Sequence, residues 1–344
     1  MTKTTHKIAF LCRGSVRDGL GHVVRTKRIA GITKELFATK VIVIGDESAE
    51  NLLLNENLDY TITPHDNHAL SHIKHFAPNV VVFDMMQFDE KDFLAISQSC
   101  KTVSLSPIFN CLALVDLIFH RTSIRGPNWQ LGNDGPLIRA GLDYAIISER
   151  CRKINETEYR TTLGHETLAV AISMGGSDAA NKTLAILNKV KDVPDRILFW
   201  ALLGEGYAHS YEELVKCVRG SKHEIILAKT NDSMWRILNN CAFVILAGGT
   251  TTYESAFVGL PSVNTLETEE HYFLIQELVE NGACTYAGYT FQESLQALRG
   301  IITRLNRNRQ DLFKMHQNAS SMIDAYGAQR VAKEIMELCD QTVN

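Results

Sequence analysis

The sequence predicts an α/β protein made of two halves, each a parallel sheet with helices on both faces. The length of 344 residues exceeds what a single core usually supports. Short apolar runs of strand length alternate with helical patterns along both halves. Ligands of such sheets bind beyond the carboxyl ends of the strands. A cleft between two facing halves is therefore the expected binding site.

The composition is that of an ordinary globular protein, with 45% hydrophobic and 22% charged residues. A net charge of -4 gives no general attraction for nucleic acid, so a nucleic-acid partner is not expected. The eight cysteines stand singly, without a Cys-x-x-Cys pair, which favours reduced thiols and a cytoplasmic location. No apolar run has the length of a signal peptide or a membrane span. Composition does not indicate the oligomeric state.

The N-terminal half is predicted over residues 1–155. It begins with an apolar strand at residues 7–13, followed by a glycine-containing loop. From His22 to Phe37 apolar residues recur at helical spacing, which predicts a helix of about four turns. Further strands are predicted at residues 40–44, 79–84, 102–106 and 143–147.

The C-terminal half is predicted over residues 165–325, after a polar linker between residues 149 and 167. Its pattern again alternates between strands and helices. The expected strands lie at residues 168–174, 196–203, 224–228, 243–247 and 261–264. From about Phe291 the pattern is wholly helical, and the chain ends in a C-terminal helix over residues 326–344.

The segment Gly19-Leu20-Gly21-His22 lies where the first strand turns into a helix. Histidine has the side chain whose pKa is nearest neutrality, so His22 is a candidate base for water or a sugar hydroxyl. The alternative is that His22 caps the helix or makes a structural hydrogen bond. Arg25, one turn later, is expected to hold a carboxylate or a phosphate.

Two glycine pairs in the C-terminal half follow predicted strands. The first is Gly175-Gly176-Ser177-Asp178, before a helix expected near Ala179. Free amides at that helix start suit a phosphate, whereas the alternative is a tight turn capped by Ser177 or Asp178.

The second glycine pair, Gly248-Gly249, is followed by the hydroxyl residues Thr250 and Thr251 and then by Glu254. Glycines and hydroxyls before a short helix again suit a phosphate. Glu254 is predicted to accept hydrogen bonds from the diol of a ribose. The alternative is that its carboxylate only complements the helix dipole.

Four histidines, at positions 65, 68, 72 and 75, would share one face of a helix. His68 and His72 have metal-ligand spacing, but no cysteine or carboxylate shell completes a site. Neither a metal nor a cofactor is therefore expected.

Three segments together resemble the UDP-sugar hydrolase of pseudaminic acid biosynthesis, which is itself similar to the lipid II glycosyltransferase of peptidoglycan synthesis. They are the glycine loop with His22 and Arg25, the Gly175 loop with Asn181, and the Gly248 loop with Glu254 and Gly-Leu-Pro261. The resemblance spans residues 7–290. It implies a GT-B fold with two Rossmann-like domains, water activation by His22, and binding of the UDP ribose by Glu254.

The sugar side departs from this pattern at two places. The hydrolases carry an Asp-x-Tyr-Gly-like segment after their third strand, where this chain has Asp84-Met85-Met86-Gln87. They also carry an Asn-Gln pair that faces the sugar, where this chain has Glu269-Glu270-His271-Tyr272. Asp84, Met86, His271, Gly21 and Arg25 are nevertheless the expected substrate-binding residues.

The leading hypothesis is a hydrolase that releases UDP from a UDP-linked amino- or deoxysugar in bacterial surface-sugar biosynthesis, with a small nucleotide sugar as its only expected partner. Two alternatives remain. A sugar hydroxyl in place of water would make a UDP-sugar-dependent glycosyltransferase. A homologue without catalysis would bind the nucleotide and leave it intact.

Overall fold

Two parallel sheets organise the chain in the computed structural model, which describes residues 6–16, 18–54, 56–124, 135–230 and 234–341. One unit contains the described residues up to 123, residues 135–146 and the chain from 326 onward. The other contains residue 124 and residues 147–325. In both units every pair of neighbouring strands is parallel, so the predicted α/β class with two parallel sheets is confirmed.

The first unit has a seven-stranded sheet in the order β3-β2-β1-β4-β5-β6-β7. Its elements are β1 (Lys7–Gly14), α1 (Gly21–Thr33), β2 (Ala38–Gly45), α2 (Glu47–Leu53), β3 (Asp59–Thr63), α3 (Asp66–Phe76), β4 (Val80–Asp84), α4 (Glu90–Ser97), β5 (Lys101–Ser104), β6 (Leu117–His120) and β7 (Leu137–Ala140).

The second unit has a six-stranded sheet in the order β10-β9-β8-β11-β12-β13. Its elements are α5 (Glu156–Gly164), β8 (Ala169–Ser173), α6 (Lys182–Val190), β9 (Leu198–Leu203), α7 (Tyr211–Arg219), β10 (Glu224–Lys229), α8 (Met234–Leu238), β11 (Phe243–Leu246), α9 (Thr250–Val258), β12 (Ser262–Asn264), α10 (Glu269–Glu280), β13 (Cys284–Tyr286), α11 (Phe291–Arg307) and α12 (Arg309–Ser320). The last helix, α13 (Gly327–Asp340), belongs to the first unit.

Strand β1 is buried on both faces of its sheet, which explains why its sequence is a continuous apolar run. Phe10 and Cys12 pack into the core cluster that contains residues of α1 and α13. Ala9 and Leu11 pack into the cluster on the opposite face, which contains residues of α3 and α4. The alternation follows from the two-residue period of a strand.

Each sheet has a point where the strand order reverses. In the first unit, β1 lies between β2 and β4, and in the second unit β8 lies between β9 and β11. The connections that leave neighbouring strands at such a point diverge to opposite faces and open a crevice at the carboxyl ends. The loops after β1, β4, β8 and β11 carry most of the candidate residues.

Several local predictions differ from the structure. The helix from His22 ends at Thr33 and does not reach Phe37. The predicted strand at 143–147 does not form, and its first residues belong to a short 3-10 helix at Leu142–Tyr144. The polar stretch at 149–167 contains helix α5 within the second unit. Within the described ranges, no helix combines the length and apolar character needed to cross a membrane.

Candidate active site

His22 and Asp84 are brought together at the strand-order reversal of the first sheet. His22 is the second residue of α1, and Asp84 is the last residue of β4. The Nδ1 atom of His22 lies 2.6 Å from Oδ1 of Asp84. The carboxylate is fully buried, whereas the His22 side chain keeps 23% of its surface exposed. The Nδ1 side of the His22 ring is therefore fixed by a buried group, while part of the ring is open to solvent.

Arg25 completes this arrangement from the next turn of α1. Its Nε donates a 2.7 Å hydrogen bond to Oδ2 of Asp84, and its Nη2 donates to Oδ1. Arg25 is itself buried. Of the two expectations for Arg25, a carboxylate or a phosphate, the structure shows a carboxylate. The charged groups of Arg25 and Asp84 are both buried and bind each other, whereas their expected contact with substrate stays a prediction.

The contact with Asp84 determines which nitrogen of His22 carries the proton. An unprotonated Nδ1 would place its lone pair against a carboxylate oxygen at 2.6 Å. Arg25 Nη2 also lies 3.2 Å from Nδ1. The Asp84 contact is shorter, and an ionised carboxylate oxygen can only accept a hydrogen bond, so Nδ1 must be the donor. We therefore assign the proton of neutral His22 to Nδ1. Its Nε2 is left as a hydrogen-bond acceptor and a base.

Asp84 remains ionised despite its burial. Burial alone would raise the pKa of this carboxyl, but the charges of Arg25 and His22 and the hydrogen bonds from them lower it to about 2. A carboxylate that stays ionised near neutral pH also stabilises the imidazolium that forms when His22 accepts a proton. The three side chains thus form one hydrogen-bonded group around the Asp84 carboxylate.

In the second unit, the loop after β11 leads directly into α9. Gly248 has a φ of 75°, in the left-handed region that favours glycine. Gly249 is the N-cap of α9 and is exposed; its carbonyl oxygen accepts a 3.1 Å hydrogen bond from the amide of Thr252, and no side chain caps the helix. Thr250 and Thr251 form the first turn of the helix instead of preceding it. This helix start has the properties of an anion-binding site.

Glu254 lies in the second turn of α9 and is 9% exposed. The amide of Ser148 donates a 3.2 Å hydrogen bond to its Oε1. Burial raises the pKa of Glu254 to about 7, against the lowering effect of the Ser148 amide. A carboxylate with this environment gains from further hydrogen-bond donors, which the diol of a ribose would provide.

The Gly175 loop differs from the prediction of free helix amides. Helix α6 starts at Lys182 rather than near Ala179. The carboxylate of Asp178 accepts hydrogen bonds from the amides of Lys182 and Thr183, at 2.7 and 2.9 Å. These amides are therefore not available to a phosphate. Gly175 and Gly176 remain exposed in the loop itself, whereas Ser177 is buried.

The other predicted sugar-side residues lie at the edges of these loops. Gly21 is the first residue of α1, and a Cβ there would meet no atom within 4 Å. Met86 follows β4 and is 52% exposed. His271 lies in the first turn of α10, where its Nδ1 is 2.8 Å from Thr268 Oγ1. Burial lowers the pKa of His271, although nearby Glu267 opposes this.

The four histidines of the sequence cluster lie on one helix or directly before it. His68, His72 and His75 lie on α3, and His65 is its N-cap. Among the described residues, no group of three or more His, Cys, Asp or Glu side chains converges as metal ligands would.

Capping by Asp178 is one of the two alternatives that the sequence leaves open for this loop, and it is the one that the structure shows, through the amides of Lys182 and Thr183. Sequence reasoning missed the ion pair between Lys182 and Glu267, because 85 residues separate its partners and no local pattern indicates it.

No family model matches the chain. It is 22% identical over 355 residues to the spore coat polysaccharide biosynthesis protein SpsG of Bacillus subtilis, with 98% of this chain and 99% of that protein covered. It is 25% identical over 272 residues to an uncharacterized protein of Methanocaldococcus jannaschii, with 76% of this chain covered. The chain spans only 56% of the length of that archaeal relative.

Solved structures resemble the chain along nearly its whole length. A putative UDP-N-acetylglucosamine 2-epimerase from Listeria monocytogenes has a TM-score of 0.67 at 14% identity, with 98% of each chain covered. MurG of Acinetobacter baumannii has a TM-score of 0.65 at 14% identity, covering 96% of this chain and 99% of its own. S. aureus MnaA, in a structure with UDP, has a TM-score of 0.65 at 12% identity, covering 98% and 97%. These likenesses establish the fold as GT-B, with two Rossmann-like domains.

Proposed function

We propose that this protein is a nucleotide-sugar enzyme that releases UDP from a UDP-linked amino- or deoxysugar by hydrolysis. The observation that carries the proposal is the hydrogen bond between His22 Nδ1 and the buried carboxylate of Asp84. It leaves Nε2 as a base on a side chain that is partly open to solvent. Arg25 holds the same carboxylate in place.

In the proposed step, the oxygen of a water molecule attacks the anomeric carbon of the sugar. The bond from that carbon to the diphosphate oxygen breaks, and its electron pair leaves with UDP. His22 Nε2 takes a proton from the attacking water. The products are the free sugar and UDP, and Asp84 stabilises the imidazolium formed at His22.

The second unit supplies the proposed nucleotide site. The amides at the start of α9, with Gly248, Gly249, Thr250 and Thr251, would stabilise the negative charge that develops on the leaving diphosphate. Glu254 would accept hydrogen bonds from the ribose hydroxyls. Support comes from S. aureus MnaA, a protein of similar fold whose structure was determined with UDP.

The loop after β8 is the proposed second contact of the nucleotide. Since Asp178 occupies the amides of α6, the contribution of this loop is limited to the exposed backbone of Gly175 and Gly176 and to neighbouring Ser177. His271, Met86 and Gly21 are the proposed sugar-side contacts. No cofactor is needed for this reaction, because UDP is part of the substrate.

A role in bacterial surface-sugar biosynthesis, of the kind that produces nonulosonic acids, is the proposed setting. It is supported by the full-length similarity to a spore coat polysaccharide biosynthesis protein. The same similarity, together with the likeness to MurG, favours a glycosyltransferase as the second candidate. In that case a sugar hydroxyl replaces water at His22.

Product analysis tests the proposal. The protein is incubated with UDP-sugars in ¹⁸O-labelled water without an acceptor. The nucleotide products are then separated, and their ¹⁸O content is measured by mass spectrometry. Hydrolysis at the anomeric carbon releases UDP that carries no ¹⁸O. Label in UDP would mean that a phosphorus–oxygen bond was cleaved instead, which contradicts the proposed step.

The same assay separates the competing functions. UDP release that strictly requires an added acceptor contradicts hydrolysis and supports the glycosyltransferase. An isomerised UDP-sugar without UDP release would favour epimerase chemistry. Tight UDP binding without turnover of any sugar nucleotide would support a non-catalytic binding protein. A thermal-shift panel with UDP and NAD checks the nucleotide class first, since a ligand that binds only the folded form stabilises it.

A further inference from the structure

Lys182 carries a buried ammonium group next to the glycine loops of the second unit. Its side chain is only 10% exposed. Its Nζ donates to Oε1 of Glu267 and lies 5.3 Å from the centre of the Phe291 ring. Lysine is rarely buried unless it is paired. The pair with Glu267 and the ring of Phe291 therefore hold the lysine in one conformation.

The backbone of Lys182 is fixed as well. It is the first residue of α6, and its amide donates a 2.7 Å hydrogen bond to the carboxylate of Asp178. Asp178 belongs to the loop that begins with Gly175. The ammonium group is thus positioned by the same loop that is proposed to contact the nucleotide.

Glu267 lies on the connection between β12 and α10, which packs between the two glycine loops. A Cβ on Gly248 would come within 2.7 Å of the Leu266 side chain. The hydroxyl of Thr265 contacts Met174 Sδ at 3.8 Å, directly before Gly175. Glu267 follows this segment, and its side chain is 53% exposed. Its carboxylate thus directly follows the residues that contact both loops.

The Lys182 bond keeps Glu267 ionised and leaves part of it accessible. The hydrogen bond from Lys182 lowers the pKa of this carboxyl, with the lysine charge adding to the effect. Within the described part of the chain, Oε2 of Glu267 accepts no hydrogen bond. The ammonium also cancels the carboxylate charge, so that the pair does not repel a nearby diphosphate. The pair can thus present an acceptor oxygen beside an anion site.

We propose that Glu267, held by Lys182, recognises the sugar of the sugar nucleotide by accepting a hydrogen bond from a donor on the pyranose ring. The donor is a hydroxyl, an amide or an ammonium group. Lys182 is the positioning residue and does not itself touch the sugar. This inference rests on the proposed function, because it requires a UDP-sugar at the α9 loop.

Calorimetric titration of the full chain with UDP, UDP-glucose, UDP-galactose, UDP-N-acetylglucosamine and UDP-glucosamine tests the inference, with His22→Asn in every protein so that the proposed hydrolysis does not consume the ligand. In Glu267→Gln, the Kd for UDP should stay within about twofold of the wild-type value. The Kd for the sugar nucleotide that the wild type prefers should rise about tenfold or more, because a hydrogen bond to a charged acceptor is weakened. A larger loss for UDP-glucosamine than for the others would identify an ammonium donor.

Variants of Lys182 separate positioning from folding. Lys182→Met should raise the same sugar-nucleotide Kd without changing the Kd for UDP, since Glu267 loses its anchor. Lys182→Arg should restore much of the discrimination, because a guanidinium also pairs with a carboxylate. Glu280→Gln, which alters an exposed carboxylate at the last residue of α10, is the matched control and should change no Kd.

Two results would overturn the inference, and they differ in what else they remove. If the wild type binds UDP but the order of Kd values among the UDP-sugars is unchanged in Glu267→Gln, the role of Glu267 is removed. The same holds if the wild type binds UDP and all UDP-sugars with equal Kd values. Failure of the wild type to bind UDP removes the proposed function and this inference with it.

Discussion

Asp84 and Arg25 form a buried ion pair at the carboxyl end of β4, with Arg25 Nε 2.7 Å from Asp84 Oδ2. Two ions inside a protein are costly unless each satisfies the other. Here the carboxylate also accepts from Nδ1 of His22, at 2.6 Å. One buried group thus serves both the stability of the fold and the orientation of the proposed base.

Replacing Asp84 by Asn should lower the free energy of unfolding by about 3–5 kcal/mol, because Arg25 would remain buried without a counter-charge. Urea unfolding monitored by circular dichroism measures the loss. Asp66→Asn is a matched control, since Asp66 pairs with Arg13 on side chains that are 30% and 28% exposed. Its expected cost is about 1 kcal/mol or less. Equal losses in both variants would contradict a special role for the buried pair.

The contribution of Asp84 should disappear in acid. Its pKa is about 2 in the folded protein, against an ordinary value of 3.8. The unfolded chain therefore binds more protons between these values, so stability falls as the pH falls through them. We expect the difference in unfolding free energy between the wild type and Asp84→Asn to shrink from pH 5 to pH 2. A constant difference across this range would show that the pKa of Asp84 is not lowered.

The alternation of strands and helices could be predicted because parallel strands buried on both faces are continuous apolar runs. The run at 143–147 was misassigned for a reason that lies outside its own sequence. Ile146 packs into the core cluster that includes residues of α13. A Cβ on Gly327 would lie 2.0 Å from the carbonyl oxygen of Ala145. The run is apolar because a helix from the chain end covers it, not because it pairs with a strand.

In the candidate site, too, some features follow from local sequence and others from tertiary contacts. Local patterns located His22 and both glycine loops, since strand ends and helix starts are marked by glycines and polar residues. They did not reveal that Asp84 binds Arg25, because 59 residues separate the two in sequence. They did offer Asp178 as a cap beside Ser177, and the structure shows Asp178 accepting from the first amides of α6. The sequence names the residues that are able to cap or pair, whereas tertiary packing decides which of them do.

The two glycines before α9 should respond differently to alanine. Gly248 has a φ of 75°, and a Cβ there would lie 2.7 Å from Leu266 Cδ2. Gly248→Ala should therefore destabilise the fold by about 1–2 kcal/mol or more. At Gly249, a Cβ would meet no atom within 4 Å. Gly249→Ala should leave the thermal unfolding midpoint nearly unchanged but weaken UDP binding, because the methyl group occupies the approach to the α9 amides. Unaltered UDP affinity in Gly249→Ala would argue against this loop as the diphosphate site.

Glu254 should make stability fall as the pH rises. Burial raises its pKa to about 7 from an ordinary value of 4.5. The folded protein therefore binds more protons than the unfolded chain between these values, and the stability contribution of protonated Glu254 is lost as the pH rises through 7. Glu254→Gln keeps an acceptor for the Ser148 amide without the charge. Relative to the wild type, this variant should gain roughly 2 to 3 kcal/mol between pH 5 and pH 8. If both proteins respond identically to pH, Glu254 is not the group responsible.

His22 is the residue on which the proposed reaction depends most directly. Asparagine at this position can place an amide donor near the site of Nδ1, so that the contact with Asp84 is kept while the base at Nε2 is lost. His22→Asn should therefore reduce UDP-sugar turnover by about two orders of magnitude or more. The Kd for UDP should change less than twofold, since the proposed nucleotide contacts all come from the second unit. Since this variant should keep the fold and the nucleotide site, calorimetry with UDP and a turnover assay on the same preparation separate catalysis from binding. Turnover at the wild-type rate would exclude His22 as the base, whereas a parallel loss of UDP affinity would show that the variant damages more than the proton transfer.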